Sequence, residues 1–289
     1  MDLHPPATER RRRGLKTTPG GETRMAADYG IAGHVAIVTG STSGIGFALA
    51  SALAEQGVHV ILNGLGDPAQ IETNRRELQA RTNASIRYHG ADMTRPDEIA
   101  DLVDYAAREF GRLDILVNNA GIQHVSPIED FPPEKWDALI AIILSSAFHA
   151  TKAAVPIMKA QGRGRIVNIA SAHGLVASPF KSAYVAAKFG VVGLTKAVGV
   201  ELARTGVTCN AICPGYVKTP LVEAQIGDQA RSRGISEDRV VDEVILAAQP
   251  NKAFVEYDHL AGMLLYLVSD MGASATGAAL SVDGGWTAT

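Results

Sequence analysis

The hydrophobic positions of this chain fall into two alternating patterns, short continuous runs and longer stretches with helical spacing. The short runs are rich in Val and Ile and end in small or polar residues; they are HVAIVTG, VHVILNG, SIRYHGAD, LDILVNNAG, RIVNIAS, TCNAICPG and ALSVDGG. Longer stretches between them, such as FALASALAEQ and DEIADLVDYAAREF, repeat apolar residues at helical intervals. Strands that alternate with helices indicate βαβ units, and nearly continuous apolar strands indicate a sheet covered on both faces. The pattern therefore predicts an α/β fold, a doubly wound, seven-stranded parallel sheet with helices on both faces.

The first thirty residues depart from this pattern. Residues 1–30 mix Pro, Gly and Thr with an arginine run and have no apolar periodicity, which predicts a disordered N-terminal extension. An upstream start with Met25 as the real beginning is an alternative, and a transit peptide is a weaker one because acidic residues interrupt it. The segment also has no apolar stretch typical of a secretory signal, so we expect a cytoplasmic protein.

The remaining residues, 31–289, are predicted to form a single dinucleotide-binding catalytic domain. Within it, residues 216–255 are polar and irregular in pattern. A long segment of that kind is more often a lid or a binding loop than a plain connection. We therefore expect a substrate lid at about 216–255.

A glycine-rich turn follows the first predicted strand. Gly40, Gly44 and Gly46 lie between that strand and a predicted helix, in the sequence TGSTSGIG. Glycines there permit a tight turn and close approach of a pyrophosphate, and the helix N-terminus offers free N–H groups to an anion. The context of strand, turn and helix predicts a Rossmann-type dinucleotide site at the carboxyl ends of the strands.

The identity of the dinucleotide depends on charge at the end of the second strand. NADP needs a cation for its 2′-phosphate, and the segment from Asn63 to Asp67 contains neither Lys nor Arg, which favours NAD. The acidic ribose partner usual at this point is absent, so we expect Asn63 and backbone groups to serve instead. Asp92 and Met93 end the third strand, where the carboxylate either accepts from the adenine amino group or caps the following helix.

Tyr184 and Lys188 lie one helical turn apart, so their side chains face the same way. Ser171 ends the strand before them, Asn118-Asn119-Ala120-Gly121 ends the fourth strand, and a Pro-Gly turn at 214–215 follows the sixth. Together with the turn at Gly40, these five ordered motifs resemble the short-chain dehydrogenase/reductase family over residues 34–289.

The resemblance implies an oxidoreductase with Ser171, Tyr184 and Lys188 as catalytic residues. Tyr184 is expected to be the general acid/base, Lys188 to lower its pKa and hold the nicotinamide ribose, and Ser171 to bind the substrate oxygen. The predicted cofactor-binding residues are Gly40, Thr42, Ser43, Gly44, Ile45, Gly46, Asn63, Asp92, Met93, Asn119, Ala120, Gly121, Tyr184, Lys188, Pro214, Gly215, Val217 and Thr219.

One position departs from the family pattern. The family usually has an asparagine in the long helix before the fifth strand, where it supports a water chain that reaches the lysine. The matching residue here is Ile143, which can neither donate nor accept a hydrogen bond through its side chain. We expect slower turnover than in relatives with asparagine, unless another group such as Ser145 replaces it.

Further polar residues fall where a substrate pocket is expected. Gln123, His173, Lys181 and Gln225 offer one cation and several neutral donors, which suits a small carboxylate. The strings NNAGIQH, IASAHGLVAS and KSAYVAAK are similar to the D-3-hydroxybutyrate dehydrogenase subfamily, in which the same positions hold the substrate carboxylate. By that resemblance the predicted substrate-binding residues are Gln123, Ser171, His173, Lys181, Tyr184, Tyr216 and Gln225. Tyr216 stands where the subfamily usually has tryptophan, and Phe189 commonly matches a histidine.

Composition narrows the remaining possibilities. The chain has 289 residues, 46% hydrophobic, with a formal net charge of −3, which gives no electrostatic footprint for nucleic acid. Its two cysteines, Cys209 and Cys213, exclude a disulfide-stapled secreted fold, and the histidines show no spacing for a metal site. No apolar run reaches the length of a membrane span, so no membrane partner is expected. By family analogy we expect a homotetramer.

Two further functions stay open at this point. The same fold can act on a bulkier 3-oxoacyl thioester, or on a sugar or steroid alcohol, because function resides in the site rather than in the fold. The substitution at Ile143 also leaves open an NAD-binding module without turnover, although the retained Ser171, Tyr184 and Lys188 argue against it.

Overall fold

The computed structural model describes residues 28–288, with the side chains of a few residues between 220 and 232 outside that description. The predicted extension at residues 1–30 lies outside the described residues except for its last three. Of these, Tyr29 packs against the hydrophobic core. Ile31, the first residue of the predicted domain, is fully buried. The hydrophobic packing of the domain therefore includes a residue of the predicted extension.

The seven predicted strands form one parallel sheet in the order β3-β2-β1-β4-β5-β6-β7. Their bounds are β1 Val35–Val38, β2 His59–Asn63, β3 Ile86–His89, β4 Ile115–Asn118, β5 Gly164–Ile169, β6 Val207–Pro214 and β7 Ala279–Val282. The order reverses at β1, which pairs with β2 on one side and β4 on the other. A reversal of this kind opens a crevice at the carboxyl ends of the strands.

Helices cover both faces of the sheet. Their bounds are α1 Gly44–Glu55, α2 Pro68–Arg81, α3 Pro96–Phe110, α4 Pro133–Leu139, α5 Ser146–Gln161, α6 Ser182–Glu201, α7 Pro220–Arg233, α8 Glu237–Val240 and α9 Tyr257–Val268. Alternate residues of β1 enter different cores: Ala36 and Val38 pack with α1 and α9, whereas Val35 and Ile37 pack with α3 and α5. The predicted doubly wound parallel fold is confirmed. Strands β1, β4, β5 and β6 are buried along their whole length, whereas the edge strands β3 and β7 are partly exposed.

The parallel register brings the predicted site residues to one edge. Val38 pairs with Leu62 and Val117, and Val117 pairs in turn with Val167. The segments that follow these strands therefore emerge side by side. They are the glycine-rich turn, the Asn119 loop and the Ser171 loop.

The predicted lid segment is helical rather than irregular. It contains α7, α8 and a π-helical stretch, Val241–Ile245, around a small core of Ile226, Val240, Ile245 and Leu246. Its two ends meet, because Val217 pairs with Val255 in a parallel bridge and the Val255 amide donates to the Tyr216 carbonyl at 2.8 Å. The segment is a closed excursion that leaves and rejoins the protein beside Tyr216.

Two helical stretches, Pro133–Gln161 and Ser182–Glu201, are long and apolar enough to cross a membrane by length and composition alone. Both pack against the sheet, through residues such as Ala150 and Ala154 on one helix and Ala187 and Val191 on the other. Their outward faces carry Phe148 and the family-divergent Phe189, each about half exposed.

Candidate active site

The glycine-rich turn is held by close backbone packing that only glycine permits. A Cβ atom at position 40 would lie 2.8 Å from the Ala120 Cα, and one at position 46 would lie 2.3 Å from the Gly40 carbonyl oxygen. The Asn119 side-chain amide donates to the carbonyls of Thr39 and Gly40, both at 2.9 Å. The turn after β1 and the loop after β4 are therefore one rigid unit.

The start of α1 has the features of an anion site. Its N-cap, Ser43, makes no side-chain capping bond within the described chain, and the first turn carries no acidic residue. Gly44 has φ +57°, and no described heavy atom lies within 4 Å of the place where a Cβ would be. Free helical N–H groups beside open space fit a bound pyrophosphate, so these residues fit a dinucleotide cofactor.

A cleft of about 350 Å³ opens above this turn and contains most of the predicted site. From the predicted cofactor set it is lined by Gly40, Ser43, Gly44, Ile45, Gly46, Asn119, Gly121, Pro214, Gly215, Val217 and Thr219. From the predicted catalytic and substrate sets it is lined by Gln123, Ser171, His173, Lys181, Tyr184, Lys188 and Tyr216. The structure thus brings predicted residues from five separate chain segments to one cleft.

Five predicted cofactor residues do not line the cleft: Thr42, Asn63, Asp92, Met93 and Ala120. Met93 is a buried member of the core, and Ala120 packs against it. For these residues cofactor contact stays a prediction. The Gln225 side chain lies outside the described residues, so its predicted substrate role is untested.

Asn63 makes structural hydrogen bonds within the protein. It is fully buried, and its amide nitrogen donates to the carbonyls of His89 and Ala91 at 3.1 and 2.9 Å. Its amide oxygen accepts from the Gly40 N–H at 3.4 Å. Asn63 therefore holds the glycine-rich turn in place by linking it to the end of β3 and the residues that follow it.

Asp92 also makes local bonds. One carboxylate oxygen accepts from both the amide and the hydroxyl of Thr94, each at 2.8 Å. The cap position of α3 itself is Arg95. Asp92 therefore stabilises the turn just before α3 through one carboxylate oxygen. The second oxygen does not take part in these two hydrogen bonds.

The three predicted catalytic residues meet at the centre of the cleft. All three line the cleft, and the Lys188 ammonium lies 5.6 Å from the Tyr184 ring centre. Lys188 donates to the Ile169 carbonyl at 2.7 Å. Because α6 starts at Ser182, Tyr184 and Lys188 lie on one face of its first two turns, directed to the end of β5.

Burial is the main influence on the pKa values of Tyr184 and Lys188. It raises the pKa of the Tyr184 phenol, and Ser171 only partly opposes this. It lowers the pKa of Lys188 to about 8. Among the protein's own groups, burial therefore outweighs the lowering of the Tyr184 pKa that is expected from Lys188. The lowering by Lys188 together with a positive nicotinamide stays a prediction.

The substrate side of the cleft is a stack of aromatic rings around one cation. Tyr216 lies parallel to Trp286, with centroids 5.6 Å apart and planes inclined by 4°. His173 contacts the Trp286 ring edge-on at 4.9 Å. The Lys181 ammonium donates to the Tyr216 hydroxyl at 3.1 Å. Burial, and then the charge of Lys181, lower the pKa of His173 to about 4, so His173 is neutral at pH 7.

Trp286 was not predicted as a site residue. It lies just beyond β7, next to β6 in the sheet, and is 9% exposed. The signal was available, because a large aromatic residue after the strand adjacent to the Pro214 strand emerges at the same sheet edge. Its contact with Tyr216 and His173 makes it a wall of the substrate side.

Lys181 follows a backbone conformation that is unusual for its residue type. Phe180 has φ +67° although it carries a side chain, and that side chain is exposed. The Phe180 carbonyl accepts from the Ser126 amide at 2.9 Å, which fixes the loop against the segment after Gln123. The strain orients Lys181 at the start of α6.

Ile143 lies in a π-helical stretch, Ile140–Ser145, between α4 and α5. Its side chain is 3% exposed, and its Cγ1 would lie 3.7 Å from a Cβ placed on Gly121. The residue therefore forms an apolar surface behind the floor of the cleft. Single π-helical turns often occur at functional sites.

Comparison with known proteins gives the same assignment along most of the chain. The sequence profile described as short chain dehydrogenase matches residues 34–230. The D-beta-hydroxybutyrate dehydrogenase of Rhizobium meliloti (strain 1021) is 57% identical over 253 residues, which cover 88% of this chain and 98% of that protein. A protein of the same name from Cupriavidus necator is 53% identical over 257 residues, covering 89% and 98%.

Solved structures agree. An actinorhodin polyketide ketoreductase variant with NADPH is 36% identical, with a TM-score of 0.82 over 89% of this chain and 98% of that chain. An L-sorbose reductase from Gluconobacter frateurii, complexed with NADPH and L-sorbose, is 28% identical with a TM-score of 0.86 over 91% and 100%. With the serine, tyrosine and lysine in one cleft above a glycine-rich turn, this chain belongs to the short-chain dehydrogenase/reductase family of nicotinamide-dependent oxidoreductases.

Proposed function

We propose that the protein oxidises D-3-hydroxybutyrate to acetoacetate, reversibly, with NAD as the cofactor. The observation that carries the proposal is the cation of Lys181 set beside Gln123 and neutral His173 in the cleft of Tyr184. A small carboxylate needs one paired charge and several neutral donors. Relatives named D-beta-hydroxybutyrate dehydrogenase, which are 57% and 53% identical, support the same substrate.

The chemistry follows from the groups around the reacting carbon. A bound nicotinamide ring supplies the hydride acceptor and a positive charge. Ser171 donates a hydrogen bond to the substrate oxygen, and deprotonated Tyr184 takes the hydroxyl proton as the hydride leaves the carbon. Lys188 favours the phenolate as a positive group within the same buried region. In the reverse direction Tyr184 returns the proton to the ketone oxygen.

The aromatic stack gives the carboxylate a preferred place. Lys181 is held against Tyr216 both by the 3.1 Å hydrogen bond and by the ring, whose centre lies 5.4 Å from the ammonium. Because His173 is neutral, it donates or accepts without adding a second charge. Lys181 thus supplies the positive charge beside the aromatic rings, which favours a monocarboxylate over a dianion or a neutral alcohol.

The choice of NAD rests on the end of β2. Residues 63–67 contain no cation, and the Asp67 carboxylate accepts from the Ala69 amide at the start of α2. The following arginines, Arg75 and Arg76, both bind Glu72. A 2′-phosphate would therefore meet a carboxylate here and no unpaired guanidinium from these two residues.

Two properties of the whole protein remain proposals. The homotetramer is supported by the half-exposed Phe148 and Phe189 on the outer faces of α5 and α6, since two copies would cover them. The cytoplasmic location is supported by the composition of residues 1–30, which have no apolar stretch typical of a secretory signal. Multi-angle light scattering of the purified protein measures the first, and fractionation of the source cells measures the second.

The test is an assay of the purified protein with the D and L acids, a neutral secondary alcohol such as 2-butanol, and both nicotinamide cofactors. We expect turnover of the D acid with NAD and a kcat/KM at least about 100-fold above that for the neutral alcohol, the value of one charged contact. Turnover of neutral alcohols without turnover of the acid contradicts the proposal. Tight NAD binding with no turnover of any hydroxy acid favours a binding module instead.

A further inference from the structure

A second cavity lies at the opposite edge of the sheet from the Tyr184 cleft. It measures about 380 Å³ and is formed where the loops before β5, β6 and β7 meet. Strand β6 joins the two regions, since Val207 lines this cavity and Pro214 lines the cleft. With a rise of about 3.3 Å per residue, the two sites are separated by roughly 23 Å of strand. The catalytic mechanism uses no residue of this second cavity.

Part of its wall is fixed by two glycines in close contact. Gly162 and Gly206 both have positive φ, +67° and +79°, and a Cβ on Gly206 would lie 2.1 Å from the Gly162 carbonyl oxygen. Only glycine permits this approach of the two loops. This part of the cavity wall is thus formed by closely packed backbone.

Two arginines line the cavity, and their charge is only partly balanced. Arg165 is 5% exposed, donates to the carbonyls of Gly164 and Gly206, and lies 3.6 Å from the Asp270 carboxylate. Arg163 binds the same carboxylate. Asp270 is 82% exposed, so one solvated carboxylate is shared by two guanidinium groups.

Donors without a partner concentrate at this cavity. Within residues 28–288, seven buried side-chain nitrogen or oxygen atoms have no hydrogen-bond partner. Three of them belong to cavity-lining residues: Nε of Arg163, Nε of Arg165 and Oγ1 of Thr208. The Thr208 side chain is itself almost fully buried, at 6% exposure. A buried donor left unpaired costs about 1–3 kcal/mol, so three of them around one space indicate that a polar group belongs there.

The chemistry of the donors selects the ligand. Guanidinium groups present planar sets of N–H donors that match the oxygens of a phosphate, and a hydroxyl adds one more donor. A cavity of this volume also exceeds the size of a single oxyanion and has room for a small organic group. A cationic ligand would meet the wrong charge at Arg163 and Arg165.

We propose that this cavity, between the amino ends of β5 and β6, is a second ligand site that binds a phosphate group through Arg163, Arg165 and Thr208. The phosphate is either inorganic or that of a small phosphomonoester. Asp270 competes with it for the two arginines and moves towards solvent when it binds. The site does not depend on the substrate proposed above.

Binding is measured by isothermal titration of sodium phosphate, and separately of glycerol phosphate, into the full-length protein at constant ionic strength. Saturating NAD is present throughout, so that the pyrophosphate position at the start of α1 is filled. We expect T208V, which keeps the shape but removes a donor, to weaken binding about 10- to 100-fold, the value of one hydrogen bond to a charged group. We expect D270N, which removes the competing carboxylate, to tighten it about fivefold.

A matched control is D97N, since Asp97 is an exposed carboxylate paired with an arginine far from this cavity. Its change in net charge equals that of D270N, and it should leave phosphate affinity unchanged. Tighter binding of glycerol phosphate than of phosphate assigns the site to a phosphomonoester, and the reverse assigns it to the inorganic ion. Absence of phosphate binding in the presence of saturating NAD, or binding that T208V and D270N leave unchanged, overturns the proposal.

Discussion

The two sides of the catalytic cleft are built in different ways. The cofactor side is made of backbone: Gly40, Gly44 and Gly46 leave room for it, and Asn119 ties the loops together through two carbonyls. The substrate side is made of side chains that come from three distant segments and meet only in the folded protein. There Lys181 contacts Tyr216, and Tyr216 stacks on Trp286.

This difference predicts how each side responds to substitution. A backbone site depends on register and on the absence of side chains, so changes elsewhere in the cleft leave it intact. A side-chain site depends on individual charges and rings, so single truncations there alter substrate affinity or rate. Variants that separate NAD binding from substrate turnover therefore test the distinction directly.

The largest effect is expected from Tyr184→Phe. Removal of the phenol removes the proton acceptor, and we expect kcat to fall about 10³-fold, within the range for general acid/base groups. NAD affinity, measured by fluorescence titration, should change less than about twofold because the glycine-rich turn is untouched. Retention of hydride transfer in this variant, followed at 340 nm, would show that another group accepts the proton.

The next largest effect is expected from Lys181→Met, which keeps the length of the side chain and removes its charge. Loss of a charge-assisted hydrogen bond to the carboxylate should raise KM for D-3-hydroxybutyrate about 10- to 100-fold. The matched control is Lys135→Met, on exposed helix α4, which changes net charge equally. An equal rise in KM for a neutral alcohol would mean that Lys181 only supports the pocket shape.

The same contrast explains which features could be predicted from the sequence. The strands, the glycine-rich turn and the Ser171, Tyr184 and Lys188 set are local patterns whose geometry follows from parallel strand order. Trp286 could not be placed as readily, because its partners are distant in sequence. The raised pKa of Tyr184 depends on burial, which no motif encodes.

The lid segment, residues 216–255, contains a helical pattern that the prediction of irregular structure did not include. Residues 216–255 were predicted to be irregular because they are polar on average. Yet Val222, Ile226 and Ala230 recur every four residues and pack together in α7 with the small core around Val240. The mean polarity of a long segment does not reveal a few apolar residues at helical spacing within it, so the helix has to be found from the spacing.

A smaller effect concerns acid stability on the substrate side. His173 has a folded-state pKa of about 4, below the ordinary 6.5, so between pH 6.5 and 4 the unfolded chain binds a proton that the folded protein does not. Stability therefore falls as pH falls through that window, by about 2 kcal/mol at pH 5 for this one group. His173→Gln removes this contribution and should lose less stability than the wild type between pH 7 and pH 5, measured by urea unfolding.

His149→Gln provides the comparison for this measurement, because His149 lies in α5, outside the residues that line the cleft. Its stability should fall with pH as that of the wild type does. If His173→Gln also follows the wild type, the acid sensitivity arises from groups other than the cleft histidine.

The smallest effect is expected where the two sides of the cleft meet, at Ile143 behind Gly121. The side chain is buried and apolar, so it provides no step for a proton that leaves the Lys188 region through the π-helical stretch. Ile143→Asn places a donor and an acceptor there, and we expect kcat to rise about three- to tenfold if proton release limits turnover. Ile143→Val keeps the surface apolar and should leave kcat at or below the wild-type value. An unchanged or lower kcat in the Ile143→Asn variant at every pH from 6 to 9 would contradict this prediction. Protons would then already leave through the open cleft, on its substrate side, rather than along the π-helical stretch.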